Sequence, residues 1–195
     1  VKANVIPGGP NASSEKMSHS ARNADLVMLG QPDPSRDNYL RLQGFSQEVM
    51  LLSGRPILFM PYIGTSKLDY QKAMIAWDGT PAASRAVHDA IPLLANTEEV
   101  IILVVESKKQ KEFKKDLLVE GLVEHLTHHD VNASIKRVNP GENDVPSTIL
   151  NQIMDNGIDL LVIGGYGTPT LKQKIFGSVS STLLSSMVVP VLMSH

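Results

Sequence analysis

The last third of the sequence carries glycine and hydroxyl residues at a spacing that could bind phosphate. An apolar run at residues 160–163 is followed by the pattern G-x2-G-x9-G-S, made by Gly164, Gly167, Gly177 and Ser178. Glycine lets the backbone approach a ligand closely, and a helix N-terminus offers unpaired N–H groups and the positive end of the helix dipole. The pattern therefore predicts a phosphate cradle, the name used below for the loop and helix start that carry these residues.

A carboxylate upstream could serve the same ligand. Asp78 follows an apolar run and precedes Gly79, Thr80 and Pro81, a composition typical of a turn and a helix start. A carboxylate there can accept hydrogen bonds from ribose hydroxyls or from an adenine amine. The alternative is that Asp78 only closes the turn or caps the helix.

Short apolar runs alternate with helical segments around both groups. Strands are predicted at 72–77, 100–105, 132–138, 160–163 and 189–193. Helices are predicted at 81–94, 111–128, 146–156 and 178–187, with Thr80 as the first N-cap and Gly157 as a stop. This order predicts an α/β fold with an open five-stranded parallel sheet, helices on both faces, and the alternating strand 132–138 at an edge. Ligands of such sheets bind at the carboxyl ends of the strands.

Both groups resemble motifs of the universal stress protein family. Its nucleotide-binding members carry G-x2-G-x9-G-[S/T] before the last helix, and their first strand ends in D-G-[S/T]-x3-S, which resembles Asp78 to Ser84 here. The resemblance covers about Lys72 to Met193. It implies an adenine nucleotide alpha hydrolase-like, Rossmann-like fold that binds ATP, or AMP or ADP, with Mg²⁺ or Mn²⁺ bridging phosphate oxygens.

The resemblance also implies a role for each matching residue. Asp78 would contact the adenosine side, Val105 would form part of the adenine wall, and Ile163 with Gly164 would form its floor. The phosphates and ribose would be held by Gly167, Gly177, Ser178, Val179 and Ser180. Trp77 departs from the small residues common before the aspartate, and it could narrow the adenine pocket or stack on the base. The sequence offers no catalytic residue and no metal-ligand set.

An internal repeat runs through the sequence. Residues 24–30 match 158–164 and residues 54–58 match 188–192, both at an offset of 134 positions. A constant offset over two separate matches indicates duplication of one supersecondary unit. We call residues 1–64 the first block and residues 65–195 the second block.

The first block is predicted to have lost the cradle. At the offset of 134 its counterparts of the cradle residues are Gly30, Asp33, Gln43 and Gly44. The Asp33 charge would repel phosphate, and its Cβ would obstruct the approach of the backbone. The sequence therefore predicts one nucleotide, held in the second block only.

The repeat and the resemblance together predict a tandem protein. Residues 1–64 would be the C-terminal part of a first, degenerate universal stress protein domain, and residues 65–195 a complete second domain. The sequence would then be an N-terminally incomplete tandem protein, and a half-domain completed by a partner is the alternative. The resemblance implies that strand 189–193 pairs with 56–60 across a pseudo-twofold axis, as an intramolecular pseudo-dimer. A further homodimer stays open.

Composition narrows the classes of function. The absence of cysteine excludes disulfides, cysteine-based zinc sites and thiol nucleophiles. A net charge of −2 gives no nucleic-acid footprint, and no apolar run reaches membrane-spanning length, so a cytoplasmic location is expected. The expected function is an ATP-binding regulatory or stress-response module. The alternatives are a non-catalytic interaction or dimerisation protein with structural or no nucleotide, and a very slow ATPase.

Overall fold

The chain forms alternating strands and helices in both blocks. A computed structural model describes residues 13–33, 35–63, 69–106, 116–165 and 178–195. The described part of the first block contains α1 Ser14–Ala21, β1 Val27–Gly30, α2 Tyr39–Ser53 and β2 Ile57–Met60. That of the second block contains β3 Lys72–Ala76, α3 Pro81–Leu94, β4 Glu99–Val105, α4 Asp116–Thr127, β5 Ala133–Val138, α5 Val145–Asn156, β6 Leu160–Gly164, α6 Ser178–Ser186 and β7 Val191–Ser194. The predicted α/β class is confirmed.

The strands of the described residues form one mixed sheet of seven, in the order β1-β2-β7-β6-β3-β4-β5. The five strands of the second block are parallel, as predicted, and β5 lies at the sheet edge. β1 is parallel to β2, whereas β2 pairs with β7 in the antiparallel sense. The five parallel strands predicted from the sequence are the second block's part of this sheet, and the expected pairing of strand 189–193 with 56–60 is observed between β7 and β2. The sheet continues into the first block because two apolar strand edges pair instead of exposing their backbone groups.

Helices cover both faces of the sheet, and each face has its own hydrophobic cluster. One cluster includes residues of α1, α2, α5 and α6, and we call this side the α5–α6 face. The other includes residues of α3 and α4, and we call it the α3–α4 face. Alternation along β3 places Met74 and Ala76 on the first face and Ala73 and Ile75 on the second.

Local capping explains where α3 begins and where α5 begins and ends. Thr80 is the N-cap of α3, as predicted, and its Oγ1 accepts a hydrogen bond from the Ala83 N–H at 3.2 Å. α5 begins at Val145, one residue before the prediction, because Asp144 caps it by accepting from the Ser147 N–H at 2.8 Å. Hydrogen bonds from Ser147 hold the pKa of the Asp144 carboxyl below its ordinary value. Gly157 ends α5 in the left-handed conformation, as predicted.

The two blocks repeat the same strand pairing. Val27 pairs with Ile57 between β1 and β2, and Leu161 pairs with Val191 between β6 and β7, so both members are displaced by 134 positions. Where the blocks meet, Leu58 of β2 lies opposite Leu192 of β7. Leu192 is the counterpart of Leu58 at the same offset, so the register of the antiparallel pairing is symmetric about these two leucines.

Asp159 fixes the start of β3 against β6. Its carboxylate accepts hydrogen bonds from the backbone N–H groups of Gln71 at 2.8 Å and Lys72 at 3.0 Å. Its own N–H donates to the Lys72 carbonyl oxygen at 2.9 Å. Because β3 leads to Asp78 and β6 ends at Gly164, these contacts set the register of the two strands that carry candidate site residues.

Replacing Asp159 by asparagine is expected to lower the free energy of unfolding by about 1.5 kcal/mol, because an amide has one oxygen and can accept only one of the two backbone hydrogen bonds. The matched control is Asp25→Asn, at the exposed counterpart in the first block, where a surface change costs less than about 0.5 kcal/mol. Urea unfolding followed by circular dichroism measures both. Equal losses in the two variants would contradict the role given to Asp159.

Candidate functional site

The turn between β3 and α3 holds the Asp78 carboxylate in one orientation. Asp78 Oδ1 accepts hydrogen bonds from the Thr80 N–H at 3.0 Å and from the Thr80 Oγ1 hydroxyl at 2.6 Å. Gly79 between them has a φ of 73°, which favours glycine. Since Thr80 also caps α3, the carboxylate, the turn and the helix start form one hydrogen-bonded unit. The turn-closing role that the sequence left open for Asp78 is therefore real, and it orients the carboxylate at the carboxyl edge of the sheet.

An apolar surface lies beside this turn on the α5–α6 face. Val105 ends β4 and is 6% exposed, and Ile163 near the end of β6 is 7% exposed. Both belong to the hydrophobic cluster of this face, and Val179 of α6 packs against it. Ile163 pairs with Ala76 of β3, two residues before Asp78. Val105 and Ile163, the predicted wall and floor residues, thus belong to one cluster, and Val179, which the resemblance assigned to the phosphates and ribose, packs against it.

Trp77 lies on the other face of the sheet. It is partly buried and packs against the cluster of the α3–α4 face, whereas Val105 and Ile163 belong to the opposite cluster. Its backbone N–H donates to the Leu103 carbonyl at 2.9 Å. The indole Nε1 is buried and has no hydrogen-bond partner among the described residues. Trp77 thus lies at the same sheet edge as Asp78, but it packs on the α3–α4 face, opposite to Val105 and Ile163.

Gly164 is where α3 touches β6. A Cβ added at Gly164 would lie 2.4 Å from the backbone nitrogen of Ala83 and 2.6 Å from the carbonyl carbon of Ala82. Real Cβ atoms do not come this close to backbone atoms, so any other residue would push α3 away from the sheet. The sequence analysis assigned Gly164 to close approach of a ligand. The described contact is instead with the first turn of α3, the helix that Thr80 caps.

The phosphate cradle is described only in part. Gly167 and Gly177 lie outside the described residues. Ser178 begins α6, Val179 is half-buried, and Ser180 is buried at 5% exposure. α6 therefore starts where the motif predicted a helix N-terminus, and its first turn lies over the same face as Val105 and Ile163.

The corresponding loop of the first block is built differently. α2 begins at Tyr39 and passes through Gln43 and Gly44, the counterparts of Gly177 and Ser178. Asp33 accepts hydrogen bonds from the Ser35 N–H at 2.9 Å and from the Ser35 hydroxyl at 2.7 Å. These hydrogen bonds lower the pKa of Asp33. In the first block, therefore, α2 and a carboxylate bound within its own turn occupy the counterpart positions of the cradle.

Sequence reasoning missed one buried polar residue near the site. Gln31 follows β1 and is 6% exposed, and its side chain reaches α6 of the second block. Its position is the counterpart of Gly165, directly after the first glycine of the cradle. The signal in the sequence was that the first block has glutamine at position 31, where the second block has Gly165 directly after the buried strand β6.

Other features of the described residues do not add to this site. A groove of about 380 Å³ lies at the opposite, amino-terminal edge of the sheet, where Lys72 Nζ and Glu99 Oε2 form a half-exposed ion pair at 3.1 Å. Among the described residues no group of three or more histidine, aspartate or glutamate side chains is placed to hold a metal ion. None of the helices in the described ranges is long and apolar enough to cross a membrane.

Comparison with known proteins identifies a family and solved structures that are similar to this chain. Residues 69–195 match the sequence model of the Universal stress protein family. A universal stress protein structure from Archaeoglobus fulgidus DSM 4304 is 20% identical with a TM-score of 0.70, over 93% of this chain and 64% of its own. A putative universal stress protein from Pseudomonas aeruginosa UCBPP-PA14 is 14% identical with a TM-score of 0.58, over 94% and 68%. A universal stress protein in complex with cAMP is 18% identical with a TM-score of 0.50, over 65% and 98%.

The family match covers more than half of the chain, so the chain belongs to the universal stress protein family. It spans 64% of the length of the Archaeoglobus fulgidus structure. A search of curated protein sequences gave no match. The structural neighbours share the α/β fold at low sequence identity, and their likeness to this chain is one of fold.

Replacing Gly164 by alanine is expected to lower the free energy of unfolding by about 3 kcal/mol, because the new Cβ would overlap the backbone of α3. The matched control is Gly30→Ala in the first block, where nothing lies within 4 Å of the added Cβ and the change alters stability by less than about 1 kcal/mol. Chemical unfolding of the two variants gives the comparison. A Gly164→Ala variant as stable as Gly30→Ala would show that α3 does not depend on this glycine.

Proposed function

We propose that this chain is a nucleotide-binding stress protein. It holds one adenine nucleotide, which is ATP or else AMP or ADP, in the second block only. The observation that carries the proposal is that one sheet edge combines an oriented carboxylate, an apolar surface and the start of α6. The carboxylate matches the hydrogen-bond donors of the ribose or the adenine amine, the apolar surface matches the flat base, and the start of α6 matches the phosphates. The cAMP complex among the related structures supports an adenine nucleotide as the class of ligand.

Each part of the site has a proposed partner on the nucleotide. The Asp78 carboxylate accepts hydrogen bonds from the ribose or the adenine amine, and Val105 and Ile163 contact the base. The first turn of α6, with Ser178, Val179 and Ser180, faces the ribose and phosphates. Gly164 holds α3 close to the floor.

The cradle motif completes this assignment at the level of sequence. Gly167 and Gly177 give the backbone access to phosphate. Mg²⁺ or Mn²⁺ would neutralise phosphate charge at the cradle, and most of its ligands would come from the nucleotide and water, so a protein cage is not required.

We further propose that the two blocks are a degenerate and a complete domain of one tandem protein. The shared offset of 134 positions in strand register and the symmetric pairing around Leu58 and Leu192 support this origin. An isologous pairing of this kind is what a twofold dimer becomes when its halves join in one chain. The same pairing supports the second candidate function, an interaction protein in which the nucleotide is structural or absent.

Isothermal titration calorimetry of the 195-residue chain with MgATP tests the proposed function. We expect saturable binding with one nucleotide per chain. Two nucleotides per chain would contradict the restriction to the second block. Absence of binding of ATP, ADP and AMP, together with no nucleotide released on denaturing the purified protein, would favour the interaction function instead.

Replacing Asp78 by asparagine is expected to weaken MgATP binding about tenfold, because a charge-assisted hydrogen bond to the ligand is replaced by a weaker one. The amide oxygen can still accept from Thr80, so the turn is retained. The matched control is Asp144→Asn, which makes the same change at the N-cap of α5 and leaves the affinity unchanged. Equal affinities for the two variants would remove Asp78 from the site.

Trp77 gives a spectroscopic test of its own placement, because it is the only tryptophan in the chain. We propose that it supports the site from the α3–α4 face, so saturating ATP leaves its fluorescence intensity nearly unchanged. Strong quenching on ATP binding would show that the indole stacks on the base, the other role that the sequence allowed. Titration of the wild-type chain under the calorimetric conditions makes the measurement.

A further inference from the structure

Gln31, directly after β1, makes hydrogen bonds with the end of β2 and the residues after it, and with α6. Its Nε2 donates to the carbonyl oxygen of Leu184 at 2.8 Å, and its Oε1 accepts from the Tyr62 N–H at 3.2 Å. Its backbone N–H donates to the Met60 carbonyl oxygen at 2.7 Å. Because a carbonyl can only accept and an N–H can only donate, the orientation of the amide is fixed by its partners. Both ends of this buried amide are therefore satisfied.

The contact with Leu184 acts on the C-terminal turn of α6. α6 ends at Ser186, so the Leu184 carbonyl is one of the last four of the helix and has no intrahelical N–H partner. Gln31, 153 positions away in the chain, supplies the missing donor. A nine-residue helix is a short rod of about 13 Å, so a constraint at its end also restricts its first turn.

The corresponding corner of the second block, which is the residue directly after β6, has no such side chain. Gly165 is the counterpart of Gln31, and its N–H donates to the Ser194 carbonyl at 2.8 Å, just as Gln31 donates to Met60. A Cβ at Gly165 would lie 3.1 Å from the Met50 methyl group, and Met50 is the counterpart of Leu184. The same corner thus folds without an amide, so the sheet itself does not need Gln31.

We infer that Gln31 is a positioning residue for the nucleotide site of the second block. It holds the C-terminal turn of α6 and thereby sets where the first turn, with Val179 and Ser180, meets the phosphates. The inference rests on the proposed nucleotide site and extends it, because it gives the first block a part in a site that lies outside it. Gln31 does not touch the nucleotide.

The test compares ATP with adenosine in the full chain carrying Gln31→Met, which keeps the side-chain volume and removes both amide hydrogen bonds. MgATP affinity should fall about tenfold, the size of a typical coupling between sites. Adenosine affinity should fall much less than MgATP affinity, because adenosine has no phosphates and only its ribose faces α6, while its base contacts Val105 of β4 and Ile163 of β6. Hydrogen exchange should accelerate at the backbone amides of residues 183–187, with or without ligand.

A control variant separates this role from general loss of stability. Val131→Ala removes buried volume on the α3–α4 face, far from α6 in the sheet order, and leaves the ratio of ATP to adenosine affinity at the wild-type value. If Gln31→Met does not fold, Gln31→Asn is used, since its shorter amide cannot reach Leu184 and Tyr62 together. The same selective loss is expected there.

The outcomes separate this inference from the proposed function. Equal weakening of ATP and adenosine, or unchanged hydrogen exchange in α6, would overturn the role of Gln31 while the nucleotide site stands. Failure of the wild-type chain to bind either ligand would overturn the proposed function and this inference with it. Selective loss of ATP affinity with faster exchange in α6 supports both.

Discussion

The close contact between α3 and β6 is the constraint on which the candidate site depends. Gly164 has no side chain, so the backbone of Ala83 can lie where a Cβ would otherwise be. The first turn of α3 then stands directly against the end of β6, and Thr80, which caps this turn, brings the Asp78 carboxylate with it. One absent methyl group therefore fixes the distance between the carboxylate and the strand that leads into the cradle. A site held this way is organised before its ligand arrives, which lowers the entropy lost on binding.

The antiparallel pairing of β2 with β7 places the two blocks in a single sheet. Ile57, Leu58 and Phe59 are almost completely buried there, so the pairing contributes both hydrogen bonds and hydrophobic burial. It also sets α2 and α6 over the same face, where Met50 and Leu184 belong to one cluster. The helix that opens the candidate nucleotide site is thus supported by residues of the first block. A nucleotide site in one block is consequently sensitive to the packing of the other.

Local patterns in the sequence were enough to predict α3, its cap at Thr80, the parallel strands and the edge position of β5. Each of these depends on the composition of a few neighbouring residues. The pairing of β2 with β7 was expected only from the family resemblance, because strand pairing between blocks depends on contacts distant in sequence that local patterns do not show. The pattern also showed that Gly164 must be glycine, but it could not show that the atom approaching it belongs to Ala83. Gln31 was missed for the same reason, since nothing in its neighbours indicates a partner on α6.

Gln31 after β1 and Gly165 after β6 cannot exchange places, because a different group faces each of them. A glutamine at Gly165 would meet the Met50 methyl group, since even a Cβ there lies 3.1 Å from it. A glycine at Gln31 would keep the backbone hydrogen bond to Met60 but leave the Leu184 carbonyl without its donor. The two positions therefore share the same backbone hydrogen bond at an offset of 134 residues and differ in their side chains. Through Gln31 the first block contacts α6, the helix on which the proposed nucleotide site depends.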